Sequence, residues 1–389
     1  MAERRYGNNL RRRNKGQQES FFDYTLLFIV LFLLAFGLVM LYSTSSYDGS
    51  QQGDPAFFLK RQLTSTIIGL AAMMVVANIP YHFWEHFAML GYVASIILIL
   101  LIIPFGYEAN GAKRWIRVAG MSIQPAEVAK LGMILFLASL ICRMGRNIRT
   151  GKGFMIVLMI PMPICLLVWK VTENMSSAII IFGIAVLMLF VSSPDYKRFI
   201  LLGLAGAAVC ALAVFIIVNL ADSGSLGVRG TRILAWLDPE AYASGKGFQT
   251  LQALYAIGSG GILGKGLGQS MQKLGFLPEA QNDMIFSIIC EELGLFGAIS
   301  ILLLFILLIW RFMVIANNAQ DLFGALLVVG VMGHIAIQVI LNVAVVTNTI
   351  PNTGISLPFI SYGGSSVLFL LVEIGIVLSV GRGIRLKDL

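Results

Sequence analysis

The stretch FFDYTLLFIVLFLLAFGLVMLY, residues 21–42, carries a single charge, Asp23. A helix of about 20 apolar residues crosses a hydrocarbon core of about 30 Å. The run is continuous rather than alternating, which points to a membrane-spanning helix and away from a barrel strand. It is too long for a signal-peptide core and no small-residue cleavage site follows, so it is expected to stay attached. Similar runs recur at Phe87–Pro104 and Phe296–Trp310.

The whole chain agrees with this local reading. Its 389 residues are 58% hydrophobic and 12% charged, where a soluble domain sits near ~45–50% and ~25%. Soluble enzyme classes are excluded. The expected fold is an all-α polytopic membrane protein with ten spans, at roughly 22–44, 63–79, 84–104, 125–143, 154–170, 175–192, 197–220, 283–310, 322–346 and 361–381. A basic tail (1–20), a ten-span membrane domain (21–381) and a short tail (382–389) follow from it, with 221–282 as a large extracellular loop between spans 7 and 8.

The net charge is +8, and its placement matters more than its size. Arg4, Arg5, Arg11, Arg12, Arg13 and Lys15 precede the first span. With a membrane span next to them, they are expected to be a cytoplasmic anchor rather than a nucleic-acid arm, and no nucleic-acid partner is expected. Ten spans put both termini inside. Sixteen of the 28 Lys and Arg then lie inside, eleven outside, and Lys130 within a span. Cys142, Cys165, Cys210 and Cys290 lie in or beside apolar runs, without a CxxC pair or a nearby His. They are expected to be small buried hydrophobes rather than disulfides or metal ligands.

External cations run against the positive-inside bias and are therefore informative. GYEANGAKRWIRVAG (106–120) holds Lys113, Arg114 and Arg117 around Trp115; the 221–282 segment adds Arg229, Arg232, Lys246, Lys265 and Lys273. A loop of that length should fold over the outer face. Its glycine-rich part, LYAIGSGGILGKGLG (254–268), fits neither GxxxxGK[ST] nor GxGxxG. Its glycines are expected to allow tight turns and close backbone approach to a lipid or partner.

Polar groups within a bilayer are costly and need a reason. Gln124, Glu127 and Lys130 share one helical face behind Pro125, either as a self-neutralising Glu–Lys pair or as the lining of a polar cavity. Glu291 and Glu292 lie about 12–13 Å beyond Asp283 at 1.5 Å per residue; adjacent positions point apart, so one can face a cavity while the other pairs with a basic neighbour, and structural roles are expected there over catalytic ones. PNTGISLPFISYGGSSVL (351–368) breaks the last span and offers hydroxyls on Ser361, Tyr362, Ser365 and Ser366. Broken backbone at membrane depth is tolerated only inside protein or against water. In FLPEAQNDMIF (276–286), Asp283 is either the cap of span 8 or a general base for a sugar hydroxyl. Together with the external cations, it points to an anionic, lipid-linked substrate.

GAKRWI (111–116), QPAEVAK (124–130), the long 247–297 segment ending FLPEAQNDMIFSIICEELGLFG, and PNTGISLPFISYGGSS (351–366) resemble the SEDS family (shape, elongation, division and sporulation), over nearly the whole chain. GQSMQKLGFLPEA resembles the FtsW branch more than the RodA branch, and a sporulation paralogue would look much the same. The resemblance implies an inverting peptidoglycan glycosyltransferase that polymerises lipid II outside the bacterial plasma membrane, at the division septum. Asp283 matches the family's essential acid and would activate the acceptor 4-hydroxyl. Arg61, Lys113, Arg114 and Lys130 are candidates for the diphosphate; Gln124, Glu127, Gln272, Lys273, Glu279, Ser361 and Ser365 complete the expected substrate contacts. Expected partners are lipid II, a class B penicillin-binding protein transpeptidase and other division proteins. No cofactor is assigned, and a divalent cation, Mg or Mn, is admissible at a diphosphate, although the sequence shows no dedicated cage for one.

The chain departs from the family pattern at Gln281-Asn282, where His-Thr is usual, and at TENMSSA (172–178), where Asn174 replaces an acid. The second change leaves Glu127 as the expected sole partner of Lys130. A RodA-like elongation or sporulation polymerase, a lipid II flippase and a non-catalytic division scaffold are the alternatives.

Overall fold

The computed structural model describes residues 22–109, 112–118, 121–193, 195–220, 228–245 and 247–384. The basic tail 1–20, Lys246 and residues 385–389 lie outside them. Among the described residues ten helices are long and apolar enough to span a membrane: α1 Tyr24–Gln51, α2 Phe57–Asn78, α3 Ala88–Phe105, α4 Pro125–Arg149, α5 Gly151–Val171, α6 Met175–Ser192, α7 Tyr196–Asn219, α8 Ile285–Asn317, α9 Leu322–Val346 and α10 Gly364–Arg382. The chain is thus a polytopic helical membrane protein. The ends of α1, α9 and α6 are set locally: Asp23, Asp321 and Asn174 accept from backbone N–H groups in the first turns, as capping residues do. Pro125 opens α4, where a missing N–H costs nothing.

The core is formed by α1, α4, α6, α8, α9 and α10, with Leu26, Leu33, Met133, Ile184, Phe305, Leu326 and Ile374 sealed inside. α2 packs along α10, and α3 along α4. α7 stands at the edge, with Ile200, Leu204, Val209, Leu212 and Phe215 exposed. Cys165 and Cys290 are buried, but Cys210, on α7, is exposed, because that helix has no core face to hide it.

Two features differ from the expected all-helical picture. Between α3 and α4 the chain forms a three-stranded antiparallel sheet, β1 Gly106–Ala109, β2 Ala112–Val118 and β3 Met121–Ile123. The sequence does signal it, since Asn110-Gly111 flanked by Tyr107 and Trp115 is a hairpin dipeptide. Reading the segment only for its cations missed that. The 221–282 segment also holds two helices, Val228–Leu237 and Phe248–Gly260.

The second feature is a break inside α8. Gly294 has φ +65, outside helical geometry. The glycine-rich segment comes alongside it and repairs the backbone. Lys265 and Gly266 N–H donate to the carbonyls of Glu291 and Glu292 at 2.9 Å each; Leu295 and Phe296 N–H donate to Gly261 and Ile262 at 2.9 and 3.1 Å. An unsatisfied backbone group in hydrocarbon costs several kcal/mol, so the break and the loop stabilise each other. The approach is so close that a Cβ on Gly294 would lie 2.3 Å from the Gly264 nitrogen. Gly260, Gly264 and Gly294 therefore allow close approach between the loop and the chain's own helix.

The break also recruits side chains. Glu291 and Glu292 are both fully buried, and both are paired. Glu291 accepts from Lys265 Nζ at 2.7 Å and from Ser270. Glu292 accepts from Lys273 Nζ at 2.7 Å and from Ser43 Oγ at 2.7 Å. Both serve structure, the role expected of them over a catalytic one, and neither lines the cavity that holds Asp283. Interrupting the helix lets the loop bring one lysine to each.

Candidate active site

At one end of the bundle a cavity of ≈ 1140 Å³ opens among α2, α4, α10, the sheet, the loop helices and the segments 279–283 and 352–356. Its lining mixes apolar surface with many polar side chains: Arg61, Arg114, Arg117, Gln124, Glu127, Arg232, Gln249, Glu279, Asp283, Asn352 and Ser365 all contribute. A second hollow, ≈ 480 Å³, lies along α8 and is lined by Leu303, Ile306, Leu307, Ile309, Trp310 and Met313, with no group able to do chemistry.

Asp283 is half-buried and sits just before α8. It does not cap that helix; Met284 holds the cap position, without a side-chain bond. Its backbone is fixed from several sides. Asn342 Nδ2, from within α9, donates to the Asp283 carbonyl at 2.8 Å and to Ile355 O at 2.6 Å. Ser361 Oγ donates to Asn282 O at 2.6 Å, and Tyr362 N–H to Gln281 O at 2.9 Å. The broken stretch before α10 is thus a brace around residues 281–283. Ser361 itself is buried at 3% exposure and serves that brace.

The carboxylate, by contrast, is lightly engaged. Gln249 Nε2 approaches Oδ1 at 3.5 Å, the long limit of a hydrogen bond, and Gln249 is itself held by Asn352 Nδ2 at 2.9 Å. Burial, and then repulsion from Glu279, push the Asp283 carboxyl up to about 7; backbone N–H groups of Asp283 and Met284 and the charge of Arg232 oppose the shift. A carboxyl poised near neutrality is matched to general base work. Glu279 holds φ +56, a conformation costly for a residue with a Cβ, and accepts a hydrogen bond from Asn282 Nδ2.

Cations face this acid pair. Arg114 donates to Thr172 O and Glu173 O, each at 3.2 Å. Burial and neighbouring Arg232 hold its guanidinium below the usual arginine range, partly offset by Glu173. It stays charged, because arginine begins so far above neutrality. Arg61 stacks 4.7 Å over the Phe57 ring and also lines the cavity.

The cavity therefore brings together Asp283, Arg61, Arg114, Gln124, Glu127, Glu279 and Ser365 from the sequence reading. The other five expected contacts lie elsewhere. Lys130 is buried, with Nζ 2.8 Å from Glu127 Oε1. Lys273 is committed to Glu292, and the Gln272 N–H turns towards Glu291. Lys113 is exposed on β2 outside the lining, and Ser361 braces the backbone. Lysine beside a buried glutamate is held by charge, so Lys130 and Lys273 are not free to meet a ligand from this arrangement. Arg232, Gln249 and Asn352 were missed as site residues. Arg232 was visible as an external cation, but nothing in the local pattern pointed Gln249 or Asn352 at Asp283.

Fold and site define a polytopic membrane protein with an acid–base and cationic cavity at one end of its helical bundle. The chain belongs to the cell cycle protein family of FtsW, RodA and SpoVE, whose model matches residues 24–385. It is 41% identical to the stage V sporulation protein E of Bacillus subtilis, over 92% of this chain and 97% of that protein. It is 39% identical to a probable peptidoglycan glycosyltransferase FtsW of Trichlorobacter lovleyi, over 95% of each. Among solved structures, a chain from a peptidoglycan synthase complex that coordinates polymerization and crosslinking superposes with TM-score 0.75 at 28% identity, covering 93% of this chain and 98% of that one. Thermus thermophilus RodA superposes with TM-score 0.66 at 26% identity, covering 94% and 98%.

Proposed function

We propose that this protein is a peptidoglycan glycosyltransferase that polymerises lipid II, with Asp283 as general base. The observation that carries the catalytic assignment is a lightly bonded carboxyl, raised to about 7, in a cavity whose lining also carries Arg114 and Arg232. Asp283 takes the proton from the 4-hydroxyl of the acceptor N-acetylglucosamine. That oxygen attacks the anomeric carbon of the donor, the bond to the diphosphate breaks, and polyprenyl diphosphate leaves with inversion. Arg114, Arg232 and Arg61 stabilise the leaving charge, for which a guanidinium is suited by its paired donors.

Among the described residues no three His, Cys, Asp or Glu side chains converge as a metal site. A Mg or Mn ion would fit only as a diphosphate counter-ion touching Glu279 or Asp283, and no step is assigned to it. The cavity end faces outward in this reading, as the positive-inside pattern requires, and the protein acts at the septum. A class B penicillin-binding protein would crosslink the strands, and other division proteins would place the pair; the likeness to a chain of a synthase complex supports such a partner.

The test is purified protein, alone and with its transpeptidase partner, incubated with lipid II. Strand formation by Asp283→Asn at the native rate sinks the catalytic assignment. A second reading, deployment in sporulation, draws support from one comparison: the chain is 41% identical to the sporulation protein of Bacillus subtilis and 36% to FtsW of the same organism. Deleting the gene and scoring division against spore cortex formation separates the two.

A further inference from the structure

The small sheet beside the cavity has a composition its fold does not require. Tyr107 and Trp115 are directly paired across β1 and β2. Arg117 lies two residues beyond Trp115, on the same face of β2, and Ser122 is its partner on β3. All four line the cavity. The two rings are stacked, 6.3 Å apart at 28°, so Tyr107 supports the Trp115 indole. Their geometry is fixed. Tyr107 Oη donates to Ser122 Oγ at 2.6 Å, and the Arg117 guanidinium sits 4.8 Å from the Tyr107 ring centre.

We propose that Trp115, backed by Tyr107 and Arg117, is a saccharide platform on which a pyranose ring of the glycan substrate rests. The assignment rests on the polymerase reading of the cavity and names a subsite within it. A pyranose presents a flat patch of C–H groups with slight positive charge. The negative face of an aromatic ring attracts such a patch, and indole offers the largest face. Hydroxyl and acetamido groups around the sugar's edge need donors, and Arg117 supplies them within the same surface. The competing explanation is an interfacial tryptophan, one that anchors a membrane protein among lipid headgroups. Such a residue faces lipid. Trp115 is half-buried and lines a polar cavity with Arg114, Arg117 and Glu127. The site thereby divides in function: Arg114 and Arg232 take the diphosphate, Asp283 the reacting hydroxyl, and the sheet the sugar ring.

The test uses the full chain in lipid nanodiscs with 5-fluorotryptophan at its five tryptophans. Loss of one fluorine signal in Trp115→Phe assigns residue 115. The probe is chitotetraose, a soluble β-1,4-linked amino sugar. Millimolar chitotetraose is expected to move the signal of residue 115 and leave the other four in place, in the native protein and in Asp283→Asn alike. In lipid II assays Trp115→Ala should lose roughly tenfold in kcat/KM, and Trp115→Phe, which keeps a smaller aromatic face, should lose less. Shorter strands from Trp115→Ala at saturating lipid II identify the growing chain as the occupant; a raised KM with normal strand length identifies the lipid II sugar. An unmoved signal at residue 115 in protein that polymerises lipid II overturns the platform, and so does a Trp115→Ala protein with native kinetics and strand length. A shifted signal in protein that polymerises nothing overturns the polymerase reading alone.

Discussion

Asp283 and the pair Glu291–Glu292 lie within ten positions of one another, yet their surroundings are opposite. Glu291 and Glu292 are wholly buried and each holds a lysine and a serine. Asp283 is half-buried, has one long side-chain hydrogen bond and faces Glu279, a like charge. A carboxylate with every lone pair engaged holds structure together and is inert. One kept short of partners, on a backbone fixed by Asn342 and Ser361, keeps its capacity to take a proton. The same residue chemistry thus serves folding at one depth and reactivity at another, and the difference lies in the partners.

That contrast can be broken experimentally. The largest effect is expected for Asp283→Asn, which preserves shape and removes the base: polymerisation of lipid II should fall by about 10²–10⁴-fold, with the thermal unfolding midpoint unchanged. Lys273→Ala should do the reverse. It leaves Glu292 buried and unpaired, at a cost of about 3–5 kcal/mol, read as a lowered unfolding midpoint in detergent. Replacing both members, Lys273→Met with Glu292→Met, should recover most of it; failure to recover would show that the pair does more than neutralise itself. Arg114→Ala and Arg232→Ala should each raise KM by roughly tenfold to a hundredfold, the worth of a charge-assisted hydrogen bond, with smaller changes in stability. The finest test concerns pH. Only the ionised carboxylate can accept a proton, so activity should rise with pH to a plateau above about 7, the value to which burial and Glu279 raise Asp283. Glu279→Gln removes the repulsion, so the rising limb should move to lower pH. A limb that stays in place would assign the ionisation to another group.

Much of the fold was legible in the chain, because a bilayer demands long apolar runs and tolerates few polar exceptions. Gln124 and Glu127 could be placed together because one helix face carries both. Arg114 stood out as a cation on the wrong side of a charge rule, and Arg61 entered through the family resemblance. Lys273 and Gln272 entered as expected contacts because they sit in the longest motif, and the structure places them beside Glu292 and Glu291, where they hold a loop to a broken helix. The three-stranded sheet was passed over because a short, half-exposed hairpin leaves a weak trace beside ten strong helical ones.

The amino-acid sequence by itself determined the membrane, the ten helices, the family and the acid at position 283, since each is written in local composition or a contiguous motif. Only the tertiary structure decided which lysines are paired, that Gln249, held by Asn352, reaches towards Asp283 from a distant segment, and that Trp115 lines the same cavity. The reason is physical. Hydrophobic length is a property of neighbours along the chain, whereas the partners of a charge are chosen by whichever segments the packed bundle brings within a few ångströms.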